Sequence, residues 1–374
     1  MAPNGAKVVA SQAELDRRKV VGVNLETVTD VTSTDFPGHW PGEDHSWSIE
    51  KFREACSVQF YKRSNLETEF SLIGVDASIA NAYRRIMIGE IPSLAIERVY
   101  IYNNTSIIQD EVLSARLGLI PLSLPGGVRK LKWCAKPEEG EEVESNDSNT
   151  IRLSLKIACT HNRDAAPGER DPLKAYHHAH VYARDIKWVP FGNQVEVFGG
   201  EDAITALNPD ILIAKMRPGQ VMDIEMDAIL GVGSDHTKYS PVAPASYRLL
   251  PTIDILKPII GADAEKFSRC FPPGVIELQP ITKKEAAKAG SGYEGHEGEK
   301  KAVVVNAMKD TVSRECLRHD EFKDKVRLGR IRDHFIFSVE SVGQWNSDEL
   351  FLESVALLRN KAEALQAQVR ALPQ

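Results

Sequence analysis

A cluster of histidines is the first group of side chains in this 374-residue chain that could take part in chemistry. On a strand, His178 and His180 would share one face, an arrangement that can bind zinc, and His177 stands beside them. No third ligand lies at a useful spacing nearby. The segment continues as VYARDIKWVP, a pattern typical of an ordinary strand.

His236 is the second candidate, because it lies in a loop near Lys238 and Ser240 and could act as a base beside a hydroxyl. A single loop histidine is more often structural or a contact to a partner. The sequence contains no GxSxG, HExxH or Walker motif. A free-standing metal- or His-dependent enzyme therefore remains only an alternative function.

The composition is that of a soluble globular protein, with 42% apolar and 26% charged residues. A net charge of −7 argues against broad binding to a nucleic-acid backbone. There is no apolar run of about 18 residues and no hydrophobic signal core, so we expect a reducing intracellular compartment without a membrane span. The cysteines form neither a disulfide framework nor a CxxC site, and we expect no metal or other cofactor. They are Cys56, Cys134, Cys159, Cys270 and Cys316.

A short amphipathic helix is predicted to follow Asp76, whose side chain can cap it, and to end before Pro92. Its apolar face repeats at i, i+3, i+4 and i+7, through Ile79, Ala82, Tyr83 and Ile86. Arg84 and Arg85 point away from that face. The arginines could be simply solvated or could contact a partner.

The C-terminus predicts a strand over 334–341 and then a helix of about seven turns, roughly 38 Å long. Asn346 and Glu349 are placed to form a capping box at its start. Apolar residues follow a 4-3 spacing through Phe351, Val355, Leu358, Ala362, Leu365, Val369 and Leu372. This seam could pack on the chain's own sheet, but its length favours a partner helix for part of it.

The remaining pattern predicts an α+β fold. Residues 1–48 are predicted to be an extension with little core-forming power. Residues 57–61 and 70–75 are predicted to pair as the two strands of a hairpin. Further strands are predicted over 151–159, 179–189, 221–230 and 246–256. Two polar segments, 137–149 and 283–301, are predicted to be disordered.

Two motifs resemble the signatures of the α-like subunits of multisubunit RNA polymerases. NAYRRIMIGEIPS begins at Asn81, and DEVLSARLGLIPL begins at Asp110. The closing DHFIFSVESVG, followed by a long amphipathic helix, is similar to the end of the same family, which includes bacterial α and its archaeal counterpart.

Several longer segments are similar to the larger α-like subunit shared by RNA polymerases I and III. They are HVYARDIKWVP, NPDILIAKMRPGQ, FPPGVIEL and KDTVSRECLRHDEFKDKVRLGRIRDHF. The polymerase II counterpart carries four closely spaced zinc-binding cysteines after the GLIPL motif, whereas this chain has only Cys134 there. The polymerase II subunit is therefore the alternative within the family.

The resemblance implies a dimerisation domain in two pieces, 49–108 and 302–374, interrupted by a mostly β insert domain over 109–301. It implies a non-catalytic scaffold that pairs with a small α-like subunit and nucleates polymerase assembly for rRNA, 5S rRNA and tRNA synthesis. The location would be the nucleus, including the nucleolus, without sequence-specific DNA contact by this subunit.

The resemblance also implies roles for individual residues. The dimer interface would include Ile79, Tyr83, Ile86, Phe351, Val355, Leu358, Ala362 and Leu365. The second-largest, β-like subunit would contact Arg84 and Arg85 and the loop with His236 and Lys238.

Overall fold

The computed structural model of this chain describes residues 11–31, 39–134, 145–200 and 203–372. The chain forms two packing units. The first consists of Met1–Gln59, Phe70–Ala80 and Tyr247–Phe337, and the second of Phe60–Glu69, Asn81–Ser246 and Ser338–Gln374. No helix of the described residues has the length and apolar character needed to span a membrane.

The helices are α1 Gln12–Arg18, α2 Ile49–Ala55, α3 Ala77–Gly89, α4 Asp110–Gly118, α5 Pro172–Ala175, α6 Gln194–Phe198, α7 Gly261–Arg269, α8 Lys283–Ala286, α9 Asp320–Lys323 and α10 Ser347–Ala371. The strands are β1 Val20–Val23, β2 Val28–Thr29, β3 Ser57–Arg63, β4 Glu67–Ile73, β5 Pro92–Asn104, β6 Thr150–Ala158, β7 Thr160–His161, β8 Tyr176–His177, β9 His180–Tyr182, β10 Lys187–Trp188, β11 Leu212–Lys215, β12 Val221–Val232, β13 Val242–Ile255, β14 Ile276–Pro280, β15 Lys300–Val304 and β16 Val326–Ser341.

A sheet of six strands has the order β2-β1-β16-β4-β3, and β13 also pairs with β16. Within the first unit, Val23 and Phe267 belong to one buried apolar cluster. The expectation that residues 1–48 contribute little to the core is wrong, because Val21 and Val23 are buried and β1 pairs antiparallel with β16. A four-residue strand is too short to show in the sequence pattern, and its partner strand lies about 300 residues away.

The second unit contains an antiparallel sheet of order β10-β6-β12-β5. β12 lies between β6 and β5, with Met226 opposite both Leu153 and Val99. Met222, Ile224 and Met226 are fully buried in one apolar cluster with residues of α4. β5 lies at an edge of this sheet and is followed in the chain by α4.

The long strand expected over 179–189 is wrong, because a 3-10 turn at Ala183–Asp185 separates β9 from β10. The carboxylate of Asp185 accepts a hydrogen bond from the backbone N–H of Tyr182 at 2.7 Å, which closes this turn. The other predicted strands are present, as is the 57–75 hairpin, and β16 begins eight residues earlier than expected.

The segment 283–301 is not disordered as predicted, because it contains α8 and the start of β15. Thr282 and Glu285 form a capping box on α8, and Lys300–Val304 pairs with β14. Lys301 forms an ion pair with Glu285, and this contact, with the Thr282 bonds, lowers the pKa of Glu285 to about 2. Of the other predicted disordered segment, 137–144 lies outside the described residues, and 145–149 form a turn closed on Asn146.

The α+β fold class is confirmed, with helices and many antiparallel strands in the described residues. The packing units group residues by contacts within this chain, whereas the domain division expected from the sequence follows the family pattern. That division stays a prediction.

Candidate subunit interface

The part of α3 from Asn81 onward contacts α10 in the second unit. The ring of Tyr83 meets the ring of Phe351 edge-on, with centroids 5.4 Å apart. Further along both helices, Lys361 forms an ion pair with Glu90, directly after α3. Because both contacts occur in the same order along the chain, the two helices run in the same direction over this stretch.

The start of α10 is fixed by a buried serine rather than by the predicted capping box. Asn346 occupies the N-cap position, but its side chain makes no capping hydrogen bond. Instead, the hydroxyl of Ser347 donates to the carbonyl of Ser64 at 2.7 Å and lies 2.5 Å from the hydroxyl of Thr68. Ser347 and Thr68 are fully buried, so these bonds hold the helix start firmly.

Two residues that sequence reasoning missed tie the same helix start to β5. The side-chain amide of Gln344 accepts from the backbone N–H of Leu94 at 2.8 Å and donates to the Leu94 carbonyl at 2.7 Å. The indole N–H of Trp345 donates to the carbonyl of Pro92 at 3.0 Å. Gln344 thus bonds to this strand as a neighbouring strand would. No periodic pattern marks either residue.

The 4-3 seam of α10 is covered by the chain only at its beginning. Leu350 and Ser354 are fully buried, and Phe351 is 7% exposed. From Val355 onward the seam opens, with Leu365 62% and Val369 65% exposed. At 100° per residue these later residues lie on the side of the helix that Phe351 occupies, so one face of α10 is half covered and half bare.

The apolar face of α3 is rotated from the predicted one. Ala80, Ile86 and Met87 are buried, whereas Ile79 is 38% exposed. Of the eight residues predicted for a dimer interface, Ile86 and Phe351 therefore pack within this chain. Tyr83 and Leu358 are half-buried, and Ala362 is exposed.

The two adjacent arginines of α3 have different surroundings. The guanidinium of Arg84 donates to the side-chain oxygen of Asn81 at 2.9 and 3.1 Å. Arg85 is exposed, and no hydrogen bond or ion pair to another described residue engages its guanidinium. Among the described residues, Arg85 is therefore the arginine of this pair whose donors are unused.

The loop with His236 packs against the end of α3, where the backbone N–H of Ser234 donates to the carbonyl of Gly89 at 2.9 Å. His236 is exposed, and its Nδ1 accepts from the backbone N–H of Lys238 at 3.1 Å. The side chain of Lys238 is only 12% exposed, and its ammonium lies 2.5 Å from the carboxylate of Glu97. Lys238 is thus engaged within the chain, and the partner contact expected for it stays a prediction.

Glu97 joins Lys238 to the neighbouring Tyr239, whose hydroxyl donates to the same carboxylate at 2.9 Å. Burial alone would raise the pKa of Glu97, but the hydrogen bonds from Lys238 and Tyr239 outweigh it and lower that pKa. Burial, followed by the Glu97 carboxylate, raises the pKa of Tyr239. The three side chains form a structural network under the loop.

The histidines suspected of chemistry do not form the strand-face pair that the sequence predicts, although His178 and His180 line the same shallow pocket. His178 lies in a left-handed conformation, with φ of 56°, between β8 and β9, so it does not share a strand face with His180. His180 instead lies 3.2 Å from the hydroxyl of Tyr182. Burial raises the pKa of the Cys316 thiol to about 12. Within the described residues, no group of three or more His, Cys, Asp or Glu side chains could hold a metal ion.

Comparison with known proteins gives a family match over most of the chain. Residues 69–362 match the family described as the RNA polymerase Rpb3/Rpb11 dimerisation domain. The chain is also 49% identical over 346 residues to a Saccharomyces cerevisiae protein named DNA-directed RNA polymerases I and III subunit RPAC1, a match that covers 92% of this chain and 97% of the yeast protein.

Two proteins from one organism, Dictyostelium discoideum, allow a finer comparison. The chain is 35% identical over 360 residues to the protein named DNA-directed RNA polymerases I and III subunit rpac1, covering 96% of this chain and 95% of that protein. It is 26% identical over 331 residues to DNA-directed RNA polymerase II subunit rpb3, covering 87% and 98%. The similarity is thus higher to the subunit of polymerases I and III.

Proposed function

Since this chain belongs to the family of RNA polymerase subunits with the Rpb3/Rpb11 dimerisation domain, we propose that it pairs with a small α-like subunit and nucleates polymerase assembly. It is a structural subunit of DNA-directed RNA polymerases I and III. Its sequence is more similar to the subunits of these polymerases than to the polymerase II subunit, which is the alternative. The polymerases that it helps to assemble synthesise rRNA, 5S rRNA and tRNA. The nucleus, with the nucleolus for polymerase I, is its place of action.

The observation that carries the pairing is the bare second half of α10. Burying Val355, Leu358, Leu365 and the apolar residues beyond them would contribute roughly 5–10 kcal/mol before the costs of association. A helix from a partner can cover this seam along its length. We expect an interface of more than about 2,000 Å² with an apolar centre, as in obligate pairs.

The β-like subunit is proposed to bind the other side of α3. The guanidinium of Arg85, which no other described residue engages, supports this assignment, since its planar fork can bind carboxylates or backbone carbonyls. His236 lies on the loop bonded to the end of the same helix. Lys238 supports the loop from inside through Glu97.

We infer that the subunit is non-catalytic and that the active site belongs to other subunits. The local roles of the histidines favour this over the enzyme alternative. His236 accepts a backbone hydrogen bond as the cap of a short helical turn, and His180 contacts Tyr182.

Purification of the tagged chain from nuclear extract tests this function. We expect the largest subunits of polymerases I and III to co-purify in fixed ratio, together with one small α-like subunit, and polymerase II to be absent. Recovery with polymerase II, or without any polymerase, would reject the proposal. A metal analysis of the purified heterodimer adds a second criterion, since one stoichiometric zinc would favour the polymerase II alternative.

A further inference from the structure

A row of three charged side chains crosses the sheet of the second unit. Arg98 on β5 and Arg152 on β6 both lie directly opposite Asp227 on β12. The carboxylate of Asp227 is 3.3 Å from the guanidinium of Arg98 and 3.4 Å from that of Arg152. Asp227 is buried, and its one negative charge stands against two positive charges. The row itself therefore has one positive charge in excess.

The guanidinium of Arg98 extends from this row to an exposed serine. Its Nη2 donates to the hydroxyl oxygen of Ser145 at 2.8 Å, in the turn at 145–149. Its Nε is buried and has no hydrogen-bond partner among the described residues. Nε and Nη2 form one edge of the planar guanidinium, and such an edge can bind two oxygens of a phosphate side by side. Arg98 thus keeps a donor that neither Ser145 nor Asp227 uses.

The sequence around Ser145 is strongly acidic. Five glutamates lie between 138 and 144, in PEEGEEVESND, and Asp147 follows the serine by two residues. Protein kinases select their targets partly by the charge pattern around the hydroxyl, so this pattern fits a kinase that prefers acidic neighbours, an acidophilic kinase. Ser145 is exposed, so its hydroxyl is accessible to such an enzyme.

We propose that Ser145 is a phosphorylation site for an acidophilic protein kinase. The hydroxyl oxygen attacks the γ-phosphorus of ATP, the bond to ADP breaks, and the hydroxyl proton passes to the base of the kinase. The phosphate carries a charge of about −1.5 to −2 near neutral pH and three acceptor oxygens. It offsets the excess positive charge of the row and provides acceptors for the Nε and Nη2 edge of Arg98. A charge-assisted pair then ties the turn to β5, where the unmodified turn has a contact to a neutral hydroxyl.

Ser148 is a matched control in the same turn. It lies three residues after Ser145, in the same acidic surroundings. Its hydroxyl donates to the side-chain oxygen of Asn146 at 2.7 Å, and no guanidinium among the described residues bonds to it. A phosphate on Ser148 would therefore lack the arginine contact that is proposed for Ser145.

Mapping of phosphorylated peptides tests the site in the unaltered protein. The chain is purified in its native assembly, with phosphatase inhibitors, from growing and from stationary cells. We expect mass spectrometry to find phosphate on Ser145 and not on Ser148. An unmodified Ser145 in both preparations overturns the proposal, as does phosphate on Ser148 instead.

The glutamates before the serine test the class of kinase. Replacement of Glu141, Glu142 and Glu144 by lysine should lower the phosphorylated fraction of Ser145 about tenfold or more, because a basic kinase groove would repel the altered segment. Replacement of the same residues by aspartate keeps the charge and should leave the fraction nearly unchanged. An equal phosphorylated fraction in the lysine and aspartate variants rejects an acidophilic kinase.

Phosphorus NMR tests the contact with Arg98. Phosphoserine is incorporated in place of Ser145, or in place of Ser148, in the full chain purified with its partner. We expect the phosphate at the first position to titrate roughly one pH unit lower than at the second, because the guanidinium favours the more charged form. Arg98→Lys keeps a cation beside Asp227 without the planar fork and should reduce this difference. Equal titration midpoints at the two positions contradict the proposed contact.

Discussion

Arg84 and Arg85 show how adjacent residues of one type acquire different roles. The guanidinium of Arg84 is bonded to Asn81 on the preceding turn, so its planar fork is partly used within the chain. The side chain of Arg85 projects from α3 with its donors free among the described residues. Sequence spacing places both on the basic side of the helix and does not distinguish them.

Arg85→Ala should therefore leave the α-like pair intact and weaken recruitment of the β-like subunit about 10- to 100-fold, since a charge-assisted contact is lost. The measurement is β-like subunit bound to the purified heterodimer at increasing concentration. Arg84→Ala is the control and should bind almost as the unaltered pair does. Equal loss in the two variants would show that the assignment of Arg85 is wrong.

The burial of His334 predicts that the stability of the protein depends on pH. Burial lowers its pKa, with a smaller opposing effect of Asp333, and its Nε2 lies 2.6 Å from the hydroxyl of Ser71. Because the folded state resists protonation of this imidazole, the unfolded state binds more protons once the pH falls below about 6.5. Stability should thus be full above that pH and decline below it.

His334→Gln removes this titration while keeping a polar group beside Ser71. We expect the fall in melting temperature of the heterodimer between pH 7.5 and 5.5 to be smaller in the variant by roughly a few degrees. A measurement at pH 8, where the imidazole is neutral in both states, gives the cost of the substitution itself. The same pH dependence in both proteins would contradict the assignment.

α10 is the element on which the proposed function rests. Its first two turns are built into the chain through Ser347, Leu350 and Phe351, which are all buried. Its later turns expose the same face, and the residues from 359 to 372 are exposed throughout. A helix of this length that is anchored at one end presents its free part to a partner in a defined direction.

Leu358→Asp should abolish pairing with the small α-like subunit, because a charge in the apolar seam would have to be desolvated without a partner. Ala367→Asp carries the same charge on an exposed position about 180° around the helix from Leu358, and it should pair normally. Co-purification of the tagged small subunit with each variant gives the result. Normal pairing of both would mean that the seam does not form the interface.

For the whole molecule, the bare seam predicts a dependence on its partner. The chain alone should self-associate or precipitate, since exposed apolar faces of this size favour association. Co-expression with the small α-like subunit should give a soluble one-to-one complex. Light scattering of the two preparations measures the difference, and a stable monomer of the isolated chain would contradict an obligate pair.

The sequence predicts much of this molecule where the signal is local. The α+β class, the 57–75 hairpin, α3 and the length of α10 follow from turn residues and periodicity, which depend on neighbours within a few residues. The family follows from motifs that lie in continuous segments. The seam itself, from Phe351 to Leu372, is likewise visible in the 4-3 spacing.

What required the tertiary structure is the set of contacts between residues far apart in the chain. Local pattern could not show that β1 pairs with β16, that Lys238 is engaged by Glu97, or that Gln344 bonds to the backbone of Leu94. It also could not show which part of an apolar stripe is covered, as for Phe351 against Leu365. The sequence alone thus determined which faces are apolar or charged, because side-chain chemistry and helical period are local properties. Which of those faces remain available was decided only by the fold, because burial depends on what distant segments bring to the same place.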